Sequence, residues 1–83
     1  VDVGQLLESV LMLAEPAWTL RDVTEAIVVR RSFSDGIIVR GVPGELQEAV
    51  LNLLHNASDA MPEGGVLQVT LRVVEQHAEI RIT

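Results

Sequence analysis

The 83-residue sequence contains no cysteine. Neither a disulfide framework nor a thiolate metal site is therefore open to it, and the absence fits a reducing, cytoplasmic setting. Aromatic residues are almost missing: Trp18 and Phe33 are the whole set, which excludes the stacking platforms on which single-stranded nucleic acids are bound. Positive charge is scarce as well. Six Lys and Arg against twelve Asp and Glu give a formal net charge of −6, the wrong sign for general binding to phosphate backbones. No apolar run approaches the ~20 residues that span a bilayer, and no basic start, apolar core and small-residue cleavage site mark a signal peptide. No nucleic acid and no membrane contact by this segment are expected. The first residue is Val and not Met, as expected of a chain that is processed or taken from something longer. A domain of this size buries only roughly 60–65% of its unfolded surface, so its stability is expected to be marginal.

What is present reads as alternating helix and strand. Asp2 can cap a helix, with Gln5 three residues later completing a capping box. Leu6, Leu7, Val10, Leu11, Ala14, Ala17 and Trp18 follow at helical spacing, and Pro16 predicts a kink or an ending. The stretch from Thr24 to Phe33 is β-branched and strand-like. Asp35-Gly36 signals a hairpin turn into a second short strand at "IIVR". Pro43 stands near the start of a second helix that runs to about Met61, where Pro62 stops it. After the Gly64-Gly65 turn, Leu67, Val69, Leu71 and Val73 alternate with polar residues. A tip at Gln76-His77 then leads into "AEIRIT", with Ala78, Ile80 and Ile82 facing in. The order helix, strand, strand, helix, strand, strand predicts an α+β domain with helices on one face of a mixed or antiparallel sheet.

The second helix carries an unusual polar side. At roughly 100° per residue, Glu48, Asn52, His55, Asn56 and Asp59 fall within an arc of about 100°. Leu46, Ala49, Val50, Leu53, Leu54, Ala57, Ala60 and Met61 fill the other side and read as core. Asparagine is a mediocre helix former, because its short amide competes for backbone hydrogen bonds. A face needing only solubility would more naturally use Glu, Lys or Gln. A solvated face and a stripe of oxygen ligands are both open readings of this pattern. In the second reading, amide and carboxylate oxygens suit a hard cation such as Mg²⁺, which shares its shell with waters and substrate phosphates.

From Glu45 to Thr83, "ELQEAVLNLLHNASDAMPEGGVLQVTLRVVEQHAEIRIT" resembles the start of the ATP-binding catalytic domain of sensor histidine kinases, within the fold shared by gyrase, mismatch-repair ATPases and heat-shock chaperones. Leu46, Glu48, Asn52, Leu53, Asn56, Ala57, Asp59, Ala60, Met61, Pro62, Gly64 and Gly65 fill the family's N-box pattern, with Glu48 in place of the commoner Gln. The part upstream is a looser match to the opening strand, first helix and first hairpin.

The resemblance implies a two-layer α/β sandwich of Bergerat type, with residues 1–83 a partial, truncated histidine-kinase-like domain. It implies ATP and Mg²⁺ as ligands. Asn56 would coordinate the metal. Asn52 would lie near the metal and its waters, where hydrolysing members of the fold place a glutamate. Glu48 would stand near the γ-phosphate or behind the residues that touch it, so that Asn52 and Glu48 flank the reacting group. Asp59 and His55 would complete the nucleotide-binding side. The implied activity is presentation of Mg-ATP for phosphoryl transfer to a histidine, then to a response regulator. The implied partners are the dimerising phosphoacceptor domain of the parent and that regulator, and the implied setting is cytoplasmic, as for the cytoplasmic part of a membrane-anchored sensor.

The family's Asp-x-Gly motif, lid and later glycine box are not within these 83 residues, so the chain alone is expected to be inactive and to expose a sheet edge that could pair in a homodimer. An anti-sigma-type serine kinase or ATPase, and a non-catalytic interaction module of the same shape, are the alternatives. An ATPase would want an acid at position 52, where this chain has Asn. Elsewhere, His77 reads as a solvent-exposed residue at a hairpin tip, Arg30 and Arg31 as charges on the strand surface, Glu8 and Glu15 as a wet helix face, and Trp18 as core or a contact with a preceding domain.

Overall fold

The computed structural model describes residues 1–19 and 26–83. The expected strand residues Thr24 and Glu25 lie outside that set. Helix α1 spans Val3–Thr19, strand β1 Ile27–Phe33, helix α2 Pro43–Asp59, strand β2 Gly65–Val74 and strand β3 His77–Ile82. Asp2 caps α1 as its chemistry suggests: its Oδ1 accepts from the Gln5 backbone N–H at 3.1 Å, and its carbonyl accepts the first helical bond from Leu6. Pro16 does not end the helix, which continues to Thr19. In α2, Pro43 occupies the first turn, where its missing N–H would have had no helical partner, and Val42 precedes it in extended conformation.

The sheet has the order β1-β2-β3. β1 and β2 run parallel from Ile27↔Gly65 to Phe33↔Leu71, and β2 and β3 are antiparallel from Val69↔Ile82 to Val74↔His77. A parallel pair needs a long crossover, which α2 supplies. Ile27, Leu67, Val69 and Leu71 point from one face of the sheet into a single core with Val3, Leu6, Leu7, Val10, Leu11, Ala14 and Trp18 of α1 and Val50 and Leu54 of α2. Both helices therefore lie on the same face, giving a two-layer α+β sandwich. Trp18 is core within this chain, at 3% exposure.

Several expectations are corrected. "IIVR" does not form a hairpin partner for β1. The turn at Asp35-Gly36 is present, but the chain then pairs with its own start: Val39 N–H donates to the Val1 carbonyl at 2.9 Å, Val3 N–H donates to the Ile37 carbonyl at 3.0 Å, and Asp2 and Ile38 form an isolated antiparallel bridge. The β1 edge that a hairpin would have used is not where residues 37–39 go, so five elements stand among the described residues where six were expected. The β2–β3 tip is one residue earlier than expected. Glu75 and Gln76 form it, with φ of 49° and 66°. That left-handed pair matches the twist of the flanking strands, although neither residue is a type that favours it. Val73 keeps the expected side of β2 but is exposed, because it lies beyond the part of the sheet that the helices cover.

On α2 the contact arc is centred near Leu54. Leu53, roughly 100° around from it, is 51% exposed, and Ala49 and Ala60 are exposed too. Ser58 is buried in their place. Its hydroxyl donates to the His55 carbonyl at 2.9 Å, so burial leaves no unsatisfied donor. Ala17 of α1 is likewise exposed.

Arg31 and the acids of α1 are also not mere surface. Arg31 stands on the helix side of β1 and donates to Glu8 at 2.7 Å and to Glu15. These two carboxylates are seven residues apart, two turns along one side of α1, so a single guanidinium clasps the helix to the sheet.

Candidate functional site

Glu48, Asn52, His55, Asn56 and Asp59 are all exposed, on the side of α2 turned away from Val50 and Leu54. Asn52 and Asn56 are one turn apart, which puts their Cβ atoms about 5–6 Å from each other. No hydrogen bond within the described residues ties either amide down, so both oxygens are available as ligands. Leu53, Ala49 and Ala60, exposed beside Asn56, add an apolar border to the polar stripe.

The local backbone holds this face at a fixed distance from the sheet. The Ala60 N–H donates to the Asn56 carbonyl at 3.2 Å, Met61 N–H to the Ser58 carbonyl at 3.0 Å, and Gly64 N–H to the Met61 carbonyl at 3.0 Å. The chain then enters β2 through Gly65, whose N–H donates to Ala26 at 3.1 Å. Gly64 and Gly65 have φ of 78° and 132°, conformations that a side chain resists. A Cβ on Gly65 would also meet Met61 Cε at 3.1 Å. The "DAMPEGG" segment is thus a tight connector that fixes the end of α2 against the β1–β2 pair.

The stripe is expensive for the helix. Asn52 and Asn56 lower helix propensity. Asp59 puts a negative charge in the last turn, where the helix end is itself negative and no basic residue offsets it. Local rules broken in one place without a packing reason are expected at functional or strained sites.

As a metal site the stripe offers two amide oxygens and flanking carboxylates. Among the described residues no group of three or more His, Cys, Asp and Glu side chains could hold a metal ion. Two neutral oxygens do fit Mg²⁺ that keeps several waters and shares phosphate ligands. Three cavities among the described residues lie away from the stripe. One is at the start of α1, beside Asp2, Gln5 and Phe33; another between Leu46, Val50 and Ile80; another on the far face of the sheet. None of these three is lined by a stripe residue. Among the described residues no helix is long and apolar enough to cross a membrane.

No protein-family model matches the chain. It is 31% identical over 58 residues, 68% of its own length, to sporulation kinase C of Bacillus subtilis. The chain spans 14% of the length of that protein. The similarity links the chain coarsely to a kinase.

Proposed function

We propose that this chain is the metal-binding half of the ATP-binding catalytic domain of a sensor histidine kinase. The observation that carries this reading is the exposed pair Asn52 and Asn56 on α2, which no hydrogen bond within the described residues ties down. The pair sits on a face without Lys or Arg and is anchored to the sheet by the glycine connector. The N-box resemblance and the similarity to a sporulation kinase support it.

In this reading Asn56 and Asn52 would hold Mg²⁺ through their amide oxygens, and the ion when bound would supply charge neutralisation for the ATP phosphates. Phosphoryl transfer asks for positioning and charge neutralisation more than for covalent help from the protein. Asn52 cannot take a proton from water, which suits an enzyme that delivers phosphate to a histidine and not to solvent. Glu48, one turn before Asn52, would lie near the γ-phosphate. Asp59 and His55 would border the nucleotide on the same face. The phosphoacceptor histidine domain and a response regulator are the partners of the whole protein, and the activity belongs to it and not to this chain alone.

The test is an NMR titration of the chain with ADP, with and without Mg²⁺, following the side-chain amides of Asn52 and Asn56. Magnesium-dependent shifts at both are expected. Shifts that ignore magnesium, or that fall on α1 and not on the stripe, overturn the reading.

A further inference from the structure

Among the described residues nothing covers the sheet face opposite the helices, and its charge is the reverse of that carried by the other described residues. The pairing register places Arg30 beside Gln68, Ser32 beside Thr70, Thr70 beside Arg81 and Arg72 beside Glu79. Their parity is opposite to that of buried Leu67, Val69 and Leu71, so all of them look away from the core. Arg72 donates to Glu79 Oε1 at 2.9 Å, and Arg81 Nη2 lies 3.7 Å from the same oxygen. One carboxylate oxygen is shared by two guanidiniums whose side chains remain 54% and 60% exposed. Arg30 lies two strands away from Arg81 and makes no ion pair within the described residues. Among the described residues, three arginines against one glutamate give this face +2, whereas the other described residues together carry −7.

Two further features show a surface built to be covered. Between the arginines, Ser32, Gln68 and Thr70 floor a polar trough of about 400 Å³, walled by Arg72 and Arg81. The short side chains of Ser32 and Thr70 leave the guanidinium donors accessible from above. At the other end of the face, Val28 and Val66 are direct partners in the parallel ladder and are 58% and 51% exposed. Parallel strands are ordinarily covered on both faces, and an apolar pair beside a cationic trough offers one anchor and several charge-assisted donors.

We infer that the open face of the β1-β2-β3 sheet docks an acidic segment of a partner protein, its carboxylates over Arg30, Arg72 and Arg81 and an apolar side chain on Val28 and Val66. Complementary charge selects the partner. An acidic segment is drawn to this face and repelled by the other surfaces of the chain, which fixes the side on which it arrives. This inference does not rest on the nucleotide-binding reading, which concerns the opposite layer.

The probe is a synthetic peptide of glutamates interrupted by two leucines, titrated into the ¹⁵N-labelled chain. Shifts are expected at Val28, Arg30, Gln68, Thr70, Arg72 and Arg81, with α2 silent and binding weakened by salt. Combining Arg72→Gln and Arg81→Gln should weaken the peptide roughly five- to tenfold, while Arg40→Gln, in the loop after Val39, leaves it unchanged. The inference is overturned by any of four results. These are no shift at millimolar peptide, equal binding of the same peptide with lysine in place of glutamate, tighter binding of oligothymidylate to this face, or concentration-dependent shifts here without any peptide. The last would mean that a second copy of the chain covers the face.

Discussion

The two helices have the same length, 17 residues, and opposite jobs. α1 buries Val3, Leu6, Leu7, Val10, Leu11, Ala14 and Trp18, and Leu7, Val10 and Leu11 have no exposed surface at all. α2 buries Val50, Leu54 and Ser58 and turns its amides, imidazole and carboxylates outward. α1 is further clasped by Arg31 through Glu8 and Glu15, whereas α2 is secured at its ends, by Pro43 and by the glycine connector. The difference teaches how a small domain divides labour. One helix supplies most of the helical share of the core, which frees the other to carry residues that do nothing for stability.

Breaking that division at its strongest point should have the largest effect. Leu7→Ala in α1 is expected to cost about 2–5 kcal/mol, enough to unfold much of a marginal domain, as read by urea or thermal denaturation. Leu53→Ala in α2 removes the same side chain from an exposed site and should change stability by less than about 0.5 kcal/mol. Equal costs at the two positions would show that α2 is as much a core element as α1. Next in size is the clasp. Arg31→Gln should lose less than about 1 kcal/mol, because both carboxylate partners are a third or more exposed. That loss should shrink in high salt; a salt-independent loss would mean that Arg31 acts through packing. The smallest effect has the opposite sign. Asn52→Ala and Asn56→Ala should each stabilise the chain by up to about 0.5 kcal/mol, since alanine is the better helix former, while abolishing the magnesium-dependent response to ADP. A destabilising result at either position would show that the amide is structural.

Much of this division is legible in the residues themselves. The expected α1 core positions except Ala17, the Asp2 cap and an end of α2 ahead of Pro62 follow from spacing and local chemistry, which act over a few residues, although α2 ends at Asp59 and not at Met61. The candidate stripe was legible too, because helical angles alone bring Glu48, Asn52, His55, Asn56 and Asp59 to one side. Local rules do not reach the choice of partner. Residues 37–39 have the same strand-like character whichever neighbour they take, and packing pairs them with Val1–Val3 instead of β1. Leu53 has the composition of a core residue, but the docking angle of α2 leaves it outside the contact arc. The role of Arg31 requires two acids 16 and 23 residues away, a distance over which periodicity carries no information.

The sequence by itself determined where the helices and most strand residues lie, which side of α2 is polar, and that an unusual pair of asparagines stands there. Those are consequences of backbone dihedrals and side-chain periods, fixed within a turn or two. Only the tertiary structure decided the β1-β2-β3 order, the clasp between β1 and α1, the exposure of Leu53 and the gathering of Arg30, Arg72 and Arg81 on one open face. Each of these depends on which surfaces the hydrophobic core draws together, and burial is a property of the whole chain, not of any one segment of it.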